Sequence, residues 1–137
     1  MNSTGRNAGK EDFPMTVQEL YEKIDGSLQS ALRILQMDKM VARFIVRYLD
    51  EPSCEKLLAA YENGDDKGVF EAAHAMKGVC ANLGLDKLSA AASEICEQFR
   101  PGAARTLSDE EIAEKIASLK ALHERTVEGV TAFKAEQ

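Results

Sequence analysis

The last third of the chain carries an apolar stripe that fits one side of a long α-helix. Ser108-Asp109-Glu110-Glu111 has the form of a capping box, in which the side chains of its first and last residues satisfy free backbone amides at a helix start. Beyond it, apolar side chains and one histidine recur at helical spacing: Ile112, Ile116, Leu119, Leu122, His123, Val127, Val130 and Phe133. A helix with such a stripe must pack against other elements of the fold.

Shorter helical segments fill the rest of the chain, and proline and glycine separate them. The segments are predicted to begin at a second capping box (Thr16 with Glu19), at Ser27, at Asp38, at Ser53, at Asp65 or Asp66, and at Asp86. Strand-like alternation of apolar and polar residues is missing. We therefore predict an all-α fold, an antiparallel (up-down) four-helix bundle with additional short N-terminal helices.

Residues 1–13 are polar and have no helical period, so we predict a flexible N-terminal arm followed by one bundle domain over residues 14–135. The net charge of −6 disfavours binding to nucleic acid or to anionic membranes. No apolar run approaches the ~20 residues that span a bilayer, and no secretory signal is seen. We therefore expect a cytoplasmic protein.

The number and spacing of the cysteines bear on disulfide bonds and zinc binding. The chain has three cysteines, Cys54, Cys80 and Cys96, and no two of them form a Cys-x-x-Cys pair. This arrangement indicates neither a disulfide framework nor a zinc site. We expect reduced, partly buried thiols.

The two histidines fall on different helical faces. In the helix predicted over residues 66–83, His74 lies opposite the core side, on a face shared with Lys67, Gly78 and Ala81 and flanked by Phe70 and Lys77. The core side is formed by Val69, Ala72, Ala73, Met76, Val79, Cys80 and Leu83. His123 belongs to the apolar stripe of the last helix, so we expect it to be partly buried and hydrogen-bonded.

The neighbours of His74 indicate more than an ordinary solvated side chain, which is the simplest alternative. Lys77 lies one turn away, and a cation there could offset negative charge on a phosphorylated imidazole. Gly78 in mid-helix costs about 1 kcal/mol relative to alanine, and such a glycine usually marks close approach by another body. The pattern predicts an exposed nucleophilic imidazole beside a positive charge and an open patch.

Residues 73–84, Ala-His-Ala-Met-Lys-Gly-Val-Cys-Ala-Asn-Leu-Gly, resemble the signature of the histidine-containing phosphotransfer (HPt) domain family. The resemblance extends more loosely over residues 38–100. It implies that His74 accepts a phosphoryl group, that Lys77 is an electrostatic helper, and that Gly78 leaves a gap for a receiver domain. Ala75 and Met76 stand where threonine and leucine are more frequent in the family.

The resemblance implies a phosphocarrier of a multistep two-component phosphorelay, exchanging its group with an aspartate of a response-regulator receiver domain. The expected partners are that receiver domain, a hybrid histidine kinase, or both. Because no phosphate-binding glycine loop is present, we expect no autonomous kinase or ATPase activity. We expect a monomer that binds no cofactor or metal, with Mg²⁺ held by the receiver.

The expected docking surface lies around His74 and consists of Lys67, Phe70, Glu71, Ala81 and Asn82. Phe70 could equally belong to the core, and if exposed it could anchor a partner. A frame of positive charge from Lys67, Lys77, Lys87 and Arg100 would complement an acidic receiver site.

Two other functions fit parts of the sequence. Glu71-Ala-Ala-His74 matches the Glu-x-x-His element of di-iron bundles, but the residues point away from the predicted core and no second element is present. An HPt-like helical adaptor that binds a regulator without phosphotransfer would share the same core pattern. It would have no use for the face formed by His74, Lys77 and Gly78.

Overall fold

A computed structural model describes residues 13–137. The predicted arm therefore lies outside the described residues, apart from Phe13, which is exposed. Within residues 13–137 all regular elements are helical, as predicted. They are α1 (Val17–Lys23), α2 (Leu28–Leu35), α3 (Asp38–Arg47), a 3₁₀ turn (Tyr48–Asp50), α4 (Ser53–Glu62), α5 (Asp66–Asn82), α6 (Asp86–Gln98) and α7 (Asp109–Glu136).

Most helix starts follow the capping signals in the sequence. Both capping boxes form, at Thr16 and at Ser108. The side chains of Ser27 and Asp65 also accept hydrogen bonds from backbone amides of the helices that they begin. These contacts satisfy amides that have no partner within the helix.

Two predicted caps are displaced by one residue. Asp38 and Asp86 are the first helical residues of α3 and α6, and Met37 and Leu85 occupy the cap positions without a side-chain hydrogen bond. The aspartates still lie in the first turn, where a negative charge is stabilised by the positive end of the helix dipole. The prediction of these two caps was wrong in position, although both helices exist.

The four consecutive helices α4 to α7 run up and down as a bundle. Between α5 and α6, Ser89 Oγ donates to the carbonyl of Lys77 (2.9 Å), and the Cys96 thiol lies 3.9 Å from the carbonyl oxygen of Phe70. Helices α5 and α6 are therefore antiparallel. Helix α7 returns along α6 and also contacts α1, α3 and α4. The predicted all-helical bundle is confirmed.

The N-terminal helices close one end of the bundle at the turn that follows α5. The Tyr21 hydroxyl donates to the carbonyl of Leu83 (2.7 Å), and the amide of Ser27 donates to the carbonyl of Gly84 (2.8 Å). Gly84 has a φ of +70°, and a Cβ atom on it would overlap the carbonyl oxygen of Ser27. A glycine therefore permits both the turn and the close approach of α2.

Among residues 13–137 the core is apolar apart from three buried polar side chains, those of Ser53, His123 and Thr126. His123 is buried and its Nδ1 lies 2.7 Å from the Tyr48 hydroxyl, which confirms the expected hydrogen-bonded histidine. All three cysteines are free, as expected, but they are fully buried rather than partly buried. Burial raises the pKa of the Cys54 and Cys80 thiols to about 12. None of the helices described between residues 13 and 137 combines the length and the apolar character of a membrane span.

Candidate functional site

Helix α5 places His74 at its middle, on the side that faces solvent. The helix begins at the cap formed by Asp65, whose carboxylate accepts from the amide of Gly68 (3.0 Å). Its core face is as predicted except that Val79 is only half-buried. The buried residues are Val69, Ala72, Ala73, Met76 and Cys80. Because these residues pack into the core, the opposite face of α5, which includes His74, is exposed to solvent.

The ring of Phe70, one turn earlier on α5, lies beside the imidazole of His74. The two ring centroids are 6.1 Å apart and the ring planes differ by 22°, so the rings are stacked. Within the described part of the chain, His74 makes neither a hydrogen bond nor an ion pair. Both ring nitrogens are therefore free for chemistry.

Lys77 and Gly78 lie on the next turn beyond His74. Lys77 is half-buried and makes no ion pair with any residue from 13 to 137, so its charge is available to a ligand. At Gly78 an added Cβ atom would meet nothing within 4 Å. The bundle itself gives no packing reason for glycine, and the surface there is open.

A second basic group reaches the site from the end of α6. Arg100 donates two hydrogen bonds to the Glu97 carboxylate (3.1 and 2.6 Å), and its guanidinium carbon lies 5.2 Å from the Phe70 ring centroid. The hydrogen bond from Arg100 lowers the pKa of Glu97, and the nearby charge of Lys77 adds to this effect. The same hydrogen bond raises the pKa of Arg100.

A comparison with protein families decides the class of this bundle. The sequence model of the Hpt domain matches residues 10–129, which is nearly the whole chain. The chain belongs to the Hpt domain family. Hpt domains are histidine phosphotransfer modules of phosphorelays, and they generally interact with receiver domains or histidine kinases. No curated protein and no solved structure matches the chain.

The predicted docking residues of this Hpt domain share one surface around His74. Lys67, Glu71, Ala81 and Asn82 are exposed, and Phe70 is half-buried with its ring against both His74 and Arg100. The two interpretations of Phe70, as core or as surface, therefore each describe part of its environment.

Of the four cations predicted to surround the Hpt site, two form ion pairs with carboxylates. Lys87 pairs with Asp25 in the turn after α1, and this contact lowers the pKa of Asp25. Arg100 pairs with Glu97. Among the described residues, Lys67 and Lys77 make no ion pair. Glu97 was not predicted as part of the site, although it lies only three residues before Arg100 in the sequence.

Two grooves flank the exposed face of α5 and were not predicted. The groove between α4 and α5 has a volume of about 510 Å³, and Lys56, Asn63 and Glu71 are among its lining residues. The groove between α3 and α5 has a volume of about 200 Å³, and Phe44 and Asn82 are among its lining residues. Their shape depends on how three helices pack, which no local sequence signal reports.

The di-iron alternative has no structural support. Glu71 and His74 are both exposed, whereas the ligands of a bundle metal site project inward. Within residues 13–137 no group of three or more histidine, cysteine or acidic side chains could hold a metal ion.

Proposed function

We propose that this Hpt domain carries a phosphoryl group on His74 and exchanges it with an aspartate of a response-regulator receiver domain in a multistep phosphorelay. One observation carries the proposal. His74 is exposed in the middle of α5, free of hydrogen bonds within the described residues, and one turn from the open surface at Gly78. A nucleophile in this position can be reached by a second protein.

The transfer needs only one bond made and one bond broken. A ring nitrogen of the neutral imidazole donates its lone pair to phosphorus, in line with the aspartyl oxygen that leaves. The N–P bond forms, the O–P bond of the acyl phosphate breaks, and the aspartate recovers its electrons as a carboxylate. The proton on the other ring nitrogen stays or passes to water. The reverse reaction follows the same path, so catalysis is mainly positioning and charge stabilisation.

Lys77 supplies the charge stabilisation from this side of the complex. Its ammonium group is three residues from His74 on the same helix and has no carboxylate partner in residues 13–137. A cation so placed would attract the phosphoryl oxygens as negative charge gathers on them. Lys67 is two turns from His74 and would act on docking rather than on chemistry.

The docking surface in this proposal consists of Lys67, Phe70, Glu71, Ala81 and Asn82, with Gly78 at its centre as the point of closest approach. A receiver domain or a hybrid histidine kinase would bind here. The Mg²⁺ ion and its carboxylates would belong to the receiver, and this chain would bind no cofactor. We also propose that the protein works in the cytoplasm as a monomer, because the docking face must stay free.

The experiment that tests the proposal follows labelled phosphate from a panel of phosphorylated receiver domains to the purified protein and to His74→Gln. An acid-labile, alkali-stable label on the wild type and none on the variant is the expected result. His74 is exposed, so the variant should fold, and circular dichroism checks that it does.

The alternative is an adaptor that binds a regulator without phosphotransfer. Receiver binding of equal affinity by the wild type and His74→Gln, with no label on either, would favour the adaptor and overturn the proposal. Label on both proteins would instead show that a residue other than His74 is phosphorylated.

A further inference from the structure

The contacts of the Phe70 ring form a continuous path from α6 to the imidazole of His74. The ring centroids of Phe70 and His74 are 6.1 Å apart, within the range of about 4.5–7 Å in which aromatic pairs attract each other. The near-parallel planes, 22° apart, place the two rings in a stacked geometry. Within residues 13–137 the imidazole makes no hydrogen bond and no ion pair, so stacking on Phe70 is the contact that orients it.

Phe70 is itself held in place by α6. Its side chain is half-buried against the core, and the guanidinium carbon of Arg100 lies 5.2 Å from its ring centroid, which is the geometry of a cation–π contact. Arg100 is in turn fixed by two hydrogen bonds to Glu97. The Cys96 thiol lies 3.9 Å from the carbonyl oxygen of Phe70, so the backbone of Phe70 contacts α6 and its ring contacts Arg100, two residues beyond the end of α6.

We infer that Phe70 is a positioning residue for His74, and that Glu97 and Arg100 hold the Phe70 ring against which the imidazole stacks. The inference rests on the proposed function, because it concerns how the phospho-accepting nitrogen is aimed. An exposed side chain without hydrogen bonds exchanges between rotamers on a picosecond to nanosecond timescale. In-line attack requires one of those rotamers, so a stacking partner that favours it raises the rate.

This role differs from docking, which Phe70 also serves in the proposed function. A docking residue changes how tightly the receiver binds. A positioning residue changes the rate after binding, and it acts even when no receiver is present. Two readouts therefore separate the roles: the imidazole in the free protein, and transfer from a donor too small to need docking.

The first readout is the proton NMR spectrum of the free protein. The ring protons of His74 should be shifted by the ring current of Phe70. We expect Phe70→Leu to abolish that shift and Phe70→Tyr to retain it, because tyrosine keeps the ring. Phe44→Leu is the matched control, since Arg47 lies 4.8 Å from the Phe44 ring centroid in a similar pair that does not include His74. Shifts that are identical in wild type and Phe70→Leu would overturn the inference.

The second readout uses phosphoramidate, a small donor that transfers its phosphoryl group to histidine and releases ammonia. We expect Phe70→Leu to be labelled about two- to tenfold more slowly than wild type, the range that corresponds to losing one aromatic pair. Phe70→Tyr should restore the rate, and Phe44→Leu should match wild type. With a phosphorylated receiver, Phe70→Leu should lower the rate at saturation in the same proportion.

The outcomes separate the inference from the function on which it rests. Absence of label on wild-type His74 from both phosphoramidate and phosphorylated receivers would overturn the proposed function, and the inference with it. Labelling of His74 at equal rates in wild type and Phe70→Leu would overturn only the positioning role. A variant that changes the half-saturating receiver concentration but not the rate at saturation would assign Phe70 to docking alone.

Discussion

The hydroxyl oxygen of Tyr48 lies 2.7 Å from Nδ1 of His123 inside the bundle. This contact joins the 3₁₀ turn after α3 to the middle of α7. On the other side of the imidazole, Nε2 is 3.5 Å from the carboxylate of Glu55 on α4. The histidine therefore has polar partners on both sides, which explains why the apolar stripe of α7 can contain it.

Removing the Tyr48 hydroxyl should weaken the fold. Tyr48→Phe leaves Nδ1 of His123 buried without its partner, and an unsatisfied buried polar group costs about 1–3 kcal/mol. We expect the free energy of unfolding, measured with urea at pH 7, to fall by that amount. Tyr61→Phe is the control, because Tyr61 is half-buried and its hydroxyl makes no hydrogen bond within residues 13–137. Equal losses in the two variants would show that the Tyr48 contact is not stabilising.

Substitution by alanine should have opposite effects on stability at Gly78 and at Gly84. At Gly78 a Cβ atom meets open space, so Gly78→Ala should stabilise the protein by about 1 kcal/mol through helix propensity. At Gly84 the φ of +70° and the carbonyl of Ser27 both oppose a side chain, so Gly84→Ala should destabilise the protein. Thermal unfolding of both variants measures the difference. A loss of stability in Gly78→Ala would show that its open surface is needed for folding.

A large side chain at Gly78 should block partners but leave the chemistry intact. Gly78→Leu puts bulk one turn from His74, at a position where an added Cβ atom meets nothing within 4 Å. We expect transfer from phosphorylated receivers to fall at least tenfold, while labelling by phosphoramidate stays within about twofold of wild type. Equal losses with both donors would mean that the leucine disturbs the imidazole itself.

Charge removal at Lys77 should slow transfer without unfolding the bundle. Lys77→Ala takes away the unpaired cation nearest to His74 along α5, so the rate at saturating receiver should fall by about tenfold. Lys67→Ala removes the same charge two turns away and should mainly raise the half-saturating receiver concentration. Stopped-flow or quench measurements with both variants make the comparison. A faster rate in Lys77→Ala would exclude the charge-stabilising role.

The Glu97 carboxyl should titrate below its usual range. Arg100 stabilises its charged form, so the pKa in the folded protein lies under the value in the unfolded chain. The resulting stability is present above the unfolded pKa and is lost as the pH falls through the folded pKa. Carbon NMR of the Glu97 side chain should show the lowered pKa in wild type and a return toward the usual value in Arg100→Gln. An unchanged titration in that variant would mean that another group lowers the pKa.

Local signals predicted the helices, because capping boxes and apolar spacing act within a few residues. Thr16 and Ser108 both cap as predicted. At Asp38 and Asp86 the same signals erred by one residue, since aspartate is stabilised both at a cap and in a first turn.

The environment of His74 was only half predictable. Its exposure, and that of Gly78, followed from the helical spacing of α5. The surroundings of Phe70 did not follow, because Arg100 lies beyond the end of another helix, α6, and reaches the ring through tertiary packing. The pairing of Lys87 with Asp25 was unpredictable for the same reason.

The hydrogen bonds from Tyr21 and Ser27 tie the N-terminal helices to the turn after α5. A truncated chain that starts at α4 would strip two backbone carbonyls of their donors and uncover apolar surface at the exit of the phospho-accepting helix. The short helices near the N-terminus are therefore integral to the domain rather than an accessory to it. Fragments for crystallisation, interaction screens or domain fusions should begin before Thr16.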